Sequence, residues 1–133
     1  MARLVVGMAS GSTESLLVAA TVAGGAVALD MEVDVYLLLG GARAFLRDAQ
    51  ATYDHPEQRA QLEAGMEGAG VGAPLGTLAH LKEGGTVRVH VCATAGKIWG
   101  ATTREQFVDL VDDIVGIAEY IIACQEADVV QVL

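Results

Sequence analysis

The sequence is short of the residues that would place it in several broad classes. Its 133 residues include two prolines and two cysteines. So little proline excludes a collagen-like or proline-rich extended chain. The cysteines, Cys92 and Cys124, have neither paired nor clustered spacing, which excludes a disulfide framework and points to a reducing, cytoplasmic compartment. Positive charge is scarce: 8 Lys and Arg stand against 17 Asp and Glu, a net charge of −9. A surface of that sign repels phosphate backbones and anionic lipid, so no nucleic-acid or membrane-surface partner is expected. No apolar run reaches the roughly 20 residues that span a bilayer. The longest uncharged stretch, Ser15 to Leu29, has fifteen and reads as a buried helix, because the polar cluster Ser10 to Glu14 interrupts any signal-peptide pattern before it.

What is present is core. Apolar residues make up 53% of the chain and charged ones 19%, enough for one domain over residues 1–133 and too little length for a second. With 16 glycines and a mean hydropathy of +0.43, a domain this small leaves apolar surface outside, and a homo-oligomer is the simplest cover for it. From Ile98 to Leu133 one base, Arg104, meets seven acids, so a basic partner would meet that end.

Strand and helix signals alternate. Leu4–Met8 reads as a strand, followed by a helix capped by Ser12 or Thr13 and running to about Leu29. Val33–Leu39 is a second strand, closed by Gly40-Gly41, with a helix from Ala42 to about Ala51. Residues 52–72 carry the weakest signal, with a turn at Tyr53 to Pro56, a polar helix from Glu57 to Met66 and a glycine run; this segment is expected to be mobile or inserted. Pro74 and Gly84-Gly85 bracket a helix. Thr86–Cys92 is a strand, Glu105 to about Val111 a helix, Asp113–Gly116 a strand, Ile117–Glu126 a helix and Val129–Leu133 a strand. The alternation predicts a three-layer α/β/α fold around a mainly parallel sheet of about five strands, with ligands gathering at the strands' carboxyl ends.

Within Thr86–Cys92 the valines occupy one face, and Thr86, Arg88, His90 and Cys92 the other. The polar residues suggest a face turned to a subunit contact or a site. Cys92 ends the strand and enters Ala93-Thr94-Ala95-Gly96-Lys97, read as a loop whose small residues leave the sulfur approachable and whose amides and Lys97 favour a thiolate. Free cysteine is equally a small buried hydrophobe, and from the residues alone both readings stand. Cys124 shares a helical stripe with Ile117 and Ile121 and reads as core packing. His90 lies about 7 Å along the strand from Cys92, too far for direct Cys/His catalysis. His55 and His80 lack partners at ligand spacing, so no metal is expected. Gly7–Ser12 lacks the Lys-Ser/Thr ending of a phosphate loop, and Gly68-x-Gly70-x-Gly72 has the wrong spacing for a dinucleotide fingerprint. Asp109, Asp112 and Asp113 read as a solvated helix end, and Trp99 as a core anchor.

Three stretches carry a resemblance to a known family. They are the opening strand and Ala-rich helix leading to Glu32-Val-Asp-Val-Tyr-Leu-Leu-Leu-Gly-Gly41, then Gly85-Thr-Val-Arg-Val-His-Val-Cys92, and Ile114-Val-Gly-Ile-Ala-Glu-Tyr120 before the terminal strand. Together they resemble the DsrE/DsrF-like sulfur-relay proteins over nearly the whole chain outside residues 52–72. The resemblance implies a homo-oligomer and maps the family's reactive cysteine onto Cys92. It implies an intracellular sulfur carrier or sulfurtransferase that holds sulfane sulfur as a persulfide on Cys92, takes it from a donor protein and passes it to an acceptor. Ala93, Thr94, Ala95, Gly96 and Lys97 would bind the anionic adduct, and no cofactor is implied. Some relatives have a second cysteine three or four residues on; here those positions are Ala95 and Gly96, which leaves a single-cysteine carrier. The alternative is a noncatalytic oligomer of the same fold that binds a ligand or partner.

Overall fold

Runs rich in β-branched residues become the five strands of one sheet: β1 (Arg3–Met8), β2 (Glu32–Leu37), β3 (Val87–Cys92), β4 (Asp113–Val115) and β5 (Val129–Val132). The computed structural model describes all residues, Met1–Leu133. The strand order is β4-β3-β2-β1-β5, and every pairing is parallel. Going from β1 to β4 the chain steps across the sheet in one direction; from β4 it returns the full width to β5. Because crossovers between parallel strands are right-handed, the outgoing helices lie on one face and the returning helix on the other. The result is the three-layer α/β/α arrangement the alternation predicts.

The first layer holds α1 (Thr13–Ala28), α2 (Leu39–Ala44), α4 (Pro74–Lys82) and α5 (Ala93–Ile98). Ser12 caps α1, its Oγ accepting from the Ser15 amide at 3.1 Å, and Glu14 sits in the first turn where a carboxylate suits the dipole. The buried stripe of α1, Leu16, Ala19, Ala20, Ala23 and Ala26, is mostly alanine, so the helix lies close to the sheet. With Phe45, Leu78, Phe107 and the inward valines of β1, β2 and β3 it forms the larger core. On the second face the layer is one helix, α6 (Ile117–Glu126), and the core there is small: Val5, Tyr36 and Ala123. A helix α3 (Arg59–Gly68) within residues 52–72 has no fully buried residue.

Three expectations need correction. The helix expected from Ala42 to Ala51 is α2, and it begins at Leu39 and ends at Ala44. Gly40 and Gly41 lie inside it rather than closing the strand before it, because α2 runs hard against the end of β1: a Cβ on Gly41 would overlap the Met8 carbonyl, and one on Gly40 would stand 2.8 Å from the Ala9 carbonyl. The helix expected over Glu105–Val111 is a single 3₁₀ turn, Arg104–Gln106. Beyond it Phe107 is extended and pairs with Leu46 in an antiparallel bridge, while the Arg104 guanidinium donates to the carbonyls of Asp109 and Val111 at 2.8 and 2.9 Å. Third, Ile117 and Ile121, read as core-facing, are each about half exposed. The stripe that faces the sheet is Tyr120 and Ala123, with Cys124 half-buried beside them. Tyr120 fits because Gly7 beneath it has no side chain: a Cβ there would strike the phenol.

Candidate functional site

The ends of β3 and β4 stand side by side, with Cys92 in register with Val115. From Cys92 the chain turns into α5 in the first layer; from Val115 it turns through Gly116 into α6 on the opposite face. Neighbouring strand ends that send their chains to opposite faces make a topological switch point, where ligands and reactive groups gather in open parallel sheets. Cys92 therefore ends its strand at such a switch point.

The surroundings of the sulfur differ from the loop read in the sequence. Residues 93–97 belong to α5, with Cys92 as its N-cap. Alanine favours helix, and Gly96 lets the helix run close to the following segment, since a Cβ there would overlap the Ala101 carbonyl. Packing of α5 onto the sheet makes Cys92 part of the larger core at 7% exposure, together with Ala95 at 4% and Ala101 at 2%. The approachable sulfur expected from small neighbours is thus covered by those neighbours. Ala93 is half-buried, Thr94 exposed and Gly96 buried. Lys97 is exposed in the last turn of α5, about 7.5 Å along the helix from Cys92 at 1.5 Å per residue. Trp99, at the end of α5, is 38% exposed and donates from Nε1 to the Leu39 carbonyl at 2.9 Å, fastening α5 to the start of α2 instead of filling the core.

A second constellation lies on the other face, and β2 and β3 build it by register. Asp34 is opposite Arg88, Tyr36 is opposite His90, and His90 is opposite Asp113. The Asp34 side chain, 2% exposed, accepts from Arg3 Nε at 2.8 Å, from Arg88 Nε at 3.0 Å and from a second Arg88 nitrogen at 3.2 Å. His90 Nε2 lies 2.8 Å from the same carboxylate and Nδ1 lies 2.6 Å from Asp113. Its ring stacks on Tyr36 at 4.6 Å between centroids. Burial favours the neutral acid of Asp34, but the hydrogen bonds from His90, Arg88 and Arg3 outweigh it and hold the carboxyl far below the usual range. Burial likewise pulls His90 down, and the bonds to Asp34 and Asp113 outweigh it, so its pKa is raised. Both ring nitrogens face carboxylates, so the imidazolium, which donates from both, is the form these contacts favour. The polar face of β3 is a charge cluster with Asp34 at its centre, and α6 covers only part of it.

The sequence reading noted Arg88 and His90 and missed Asp34. The available signal was an acid flanked by valines within a strand, Val33-Asp34-Val35, which a strand covered on both faces does not tolerate without a partner.

No family model matches the chain, and no curated protein matches it in sequence. Solved structures match in fold. The structure of MTH1491 from Methanobacterium thermoautotrophicum, a protein of unknown function, superposes with a TM-score of 0.64 at 14% identity over 100% of both chains. The crystal structure of the ychN protein from E. coli superposes with a TM-score of 0.63 at 18% identity over 100% of this chain and 99% of that one. At such identities the likeness carries the architecture alone, and the architecture is of the YchN type.

Proposed function

We propose that the chain is a sulfur carrier that holds sulfane sulfur on Cys92. The observation that carries the reading is the place of Cys92 at the switch point between β3 and β4; the YchN-type fold and the resemblance to the DsrE/DsrF-like proteins support it. In loading, the Cys92 thiolate attacks the outer sulfur of a donor persulfide, one S–S bond forms as the donor's S–S bond breaks, and the donor leaves as its thiolate. The product is a Cys92 persulfide, and attack by an acceptor thiolate on its outer sulfur reverses the exchange. The first amides of α5 lack intrahelical acceptors and are the nearest donors for an anionic outer sulfur, with Lys97 adding long-range positive charge.

Burial of Cys92 adds a condition to this reading. A sulfur this covered admits a slim linear donor more readily than a bulky reagent. Incubation with polysulfide should add about 32 Da per sulfur atom to the Cys92 peptide. Cys92→Ser abolishes the adduct and Cys124→Ser leaves it. An unmodified Cys92 in folded protein under several sulfane donors refutes the carrier.

The competing reading is a noncatalytic oligomer, and a specific observation favours it: Cys92 packs as an ordinary member of the larger core. Both readings take the protein to be a homo-oligomer. Ile117, Ile121 and Ile122 on α6 and Val129, Val130 and Val132 on β5 are each at least 40% exposed, and β5 is an edge strand with no charge or proline to block pairing. We assign the self-association surface to this face, beside the Arg88 and His90 cluster. No helix is long and apolar enough to cross a membrane, so these residues are not accounted for by a helical span.

A further inference from the structure

The segment 52–72 carries α3 over the body of the protein without packing it down. α3 has ten residues, includes Gly65 and ends in Gly68, and none of its residues is fully buried. Isolated helices of that length are marginal in water, and glycine weakens them further. Its local supports are one i,i+4 ion pair, Arg59 Nε to Glu63 Oε1 at 2.8 Å, and the Tyr53 hydroxyl on the same carboxylate at 2.8 Å. A helix in that position is ordinarily held by an apolar face pressed on a core. Here Leu62 and Met66 are only half-buried, and below Met66 lies a cavity of about 410 Å³.

That cavity opens to solvent on one side and is lined by the start of α1, the chain after α2, α3 and the start of α4. Its walls are mainly apolar, among them Leu16, Ala44, Met66 and Leu75, and the Thr13 and Gln50 side chains supply polar groups. Its volume falls within the range of small-molecule sites, which are concave, largely apolar and oriented by a few polar groups. Glu63, the charged residue in the wall, already accepts from Arg59 and Tyr53. No basic side chain lines the cavity to meet an anion, so the chemistry suits an uncharged ligand.

We propose that this cavity is a binding site for a small, uncharged, apolar molecule bearing one hydrogen-bonding group, and that the ligand supplies the packing α3 lacks. The site is independent of Cys92 and of the sulfur-carrier reading.

N-phenyl-1-naphthylamine is a suitable probe, being uncharged, apolar and fluorescent when removed from water, with one N–H. Titrated into the full chain, it is expected to bind saturably at one site per chain and to slow amide hydrogen exchange in residues 59–68. Ala51→Trp and Ala73→Trp each place a large ring in the cavity from an exposed position, so neither needs the core to repack. Each is expected to weaken binding at least tenfold with the far-UV circular dichroism spectrum unchanged. Three results overturn the proposal: no saturable fluorescence, affinity unaltered in both folded variants, or exchange protection confined to α6 and β5, which would put the probe on the exposed apolar face.

Discussion

Replacing Asp34 by Asn keeps the side chain's shape and removes its charge, so it tests the cluster on the second face without opening a cavity. Breaking a buried ion pair from one side costs about 3–5 kcal/mol, because the partners left behind remain desolvated without compensation. Three cations face Asp34, and they differ in how easily they escape. The Arg88 side chain is 49% exposed and can turn into water, and Arg3, 20% exposed, retains Glu126 at 3.3 Å. His90, 11% exposed, cannot move without breaking its stack on Tyr36. The low end of the range, about 3 kcal/mol, is therefore expected, a large share of the 5–15 kcal/mol typical of a domain. For a chain of this size that lowers Tm by roughly 10 °C. The pH dependence gives an independent readout. The His90 pKa is raised on folding, so its contribution is fully present below its ordinary value of 6.5 and is lost as pH rises through the folded value. The Asp34 pKa is lowered, so its contribution is present above 3.8 and is lost only in acid. Urea unfolding followed by circular dichroism from pH 6 to pH 9 should show wild-type stability falling with pH, and Asp34→Asn should show a smaller fall, since His90 then keeps one carboxylate instead of two. A loss below about 1 kcal/mol at pH 7, or an unchanged pH slope, refutes the assignment of Asp34 as the centre of the cluster.

Other expectations follow from single features. Gly41→Ala forces α2 away from the Met8 carbonyl and should cost about 1–3 kcal/mol in urea unfolding, the usual range for overpacking; Gly25→Ala, with open space around it in the last turn of α1, should instead stabilise by a few tenths to about 1 kcal/mol. Light scattering should give wild-type protein a mass above the 13.8 kDa monomer, and Ile121→Lys combined with Val132→Lys should return it to the monomer; a monomeric wild type at micromolar concentration removes the self-association surface. Asp112 accepts from the Val89 amide at 2.8 Å and pairs with Lys82, so Asp112→Ala should loosen β4 and speed amide exchange at Val89 more than at Val35.

What could be read from the sequence was what depends on neighbours along the chain. The strands show as β-branched runs between glycine and polar breaks, and the alternation with helices fixes parallel pairing through the crossover rule. The misreadings arise where distant backbone decides. Gly40, Gly41 and Gly96 look like breakers in one dimension; in three they are close-approach positions inside short helices, and the atoms they avoid belong to Met8, Ala9 and Ala101. Periodicity found an apolar stripe on α6 but could not say which stripe meets the sheet, because Ile117 and Ile121 are as apolar as the Tyr120 and Ala123 pair that does. Cys92 was visible as a strand end. Its burial was not, since that depends on how α5 folds back. Asp34 acquires meaning only from register with Arg88 and His90, more than fifty residues away.

The return of the chain from β4 to β5 bears on the order in which the molecule assembles. β1 to β4 lie in sequence order across the sheet, so each new strand meets one already in place. β5 meets β1 at the far end of the chain: the Arg3 amide donates to Asp128 at 2.8 Å across a separation of 125 residues. Contacts that distant are entropically the costliest to form early. The four outgoing strands with α1 and α4 make a nucleus that can form without them, whereas α6 and β5 are held by a small core and an exposed edge. Mutations in α6 and β5 are thus expected to change the unfolding rate and leave the folding rate nearly untouched. Until they dock, β1 is itself an open edge, and the productive and the aggregating routes compete for the same row of hydrogen bonds.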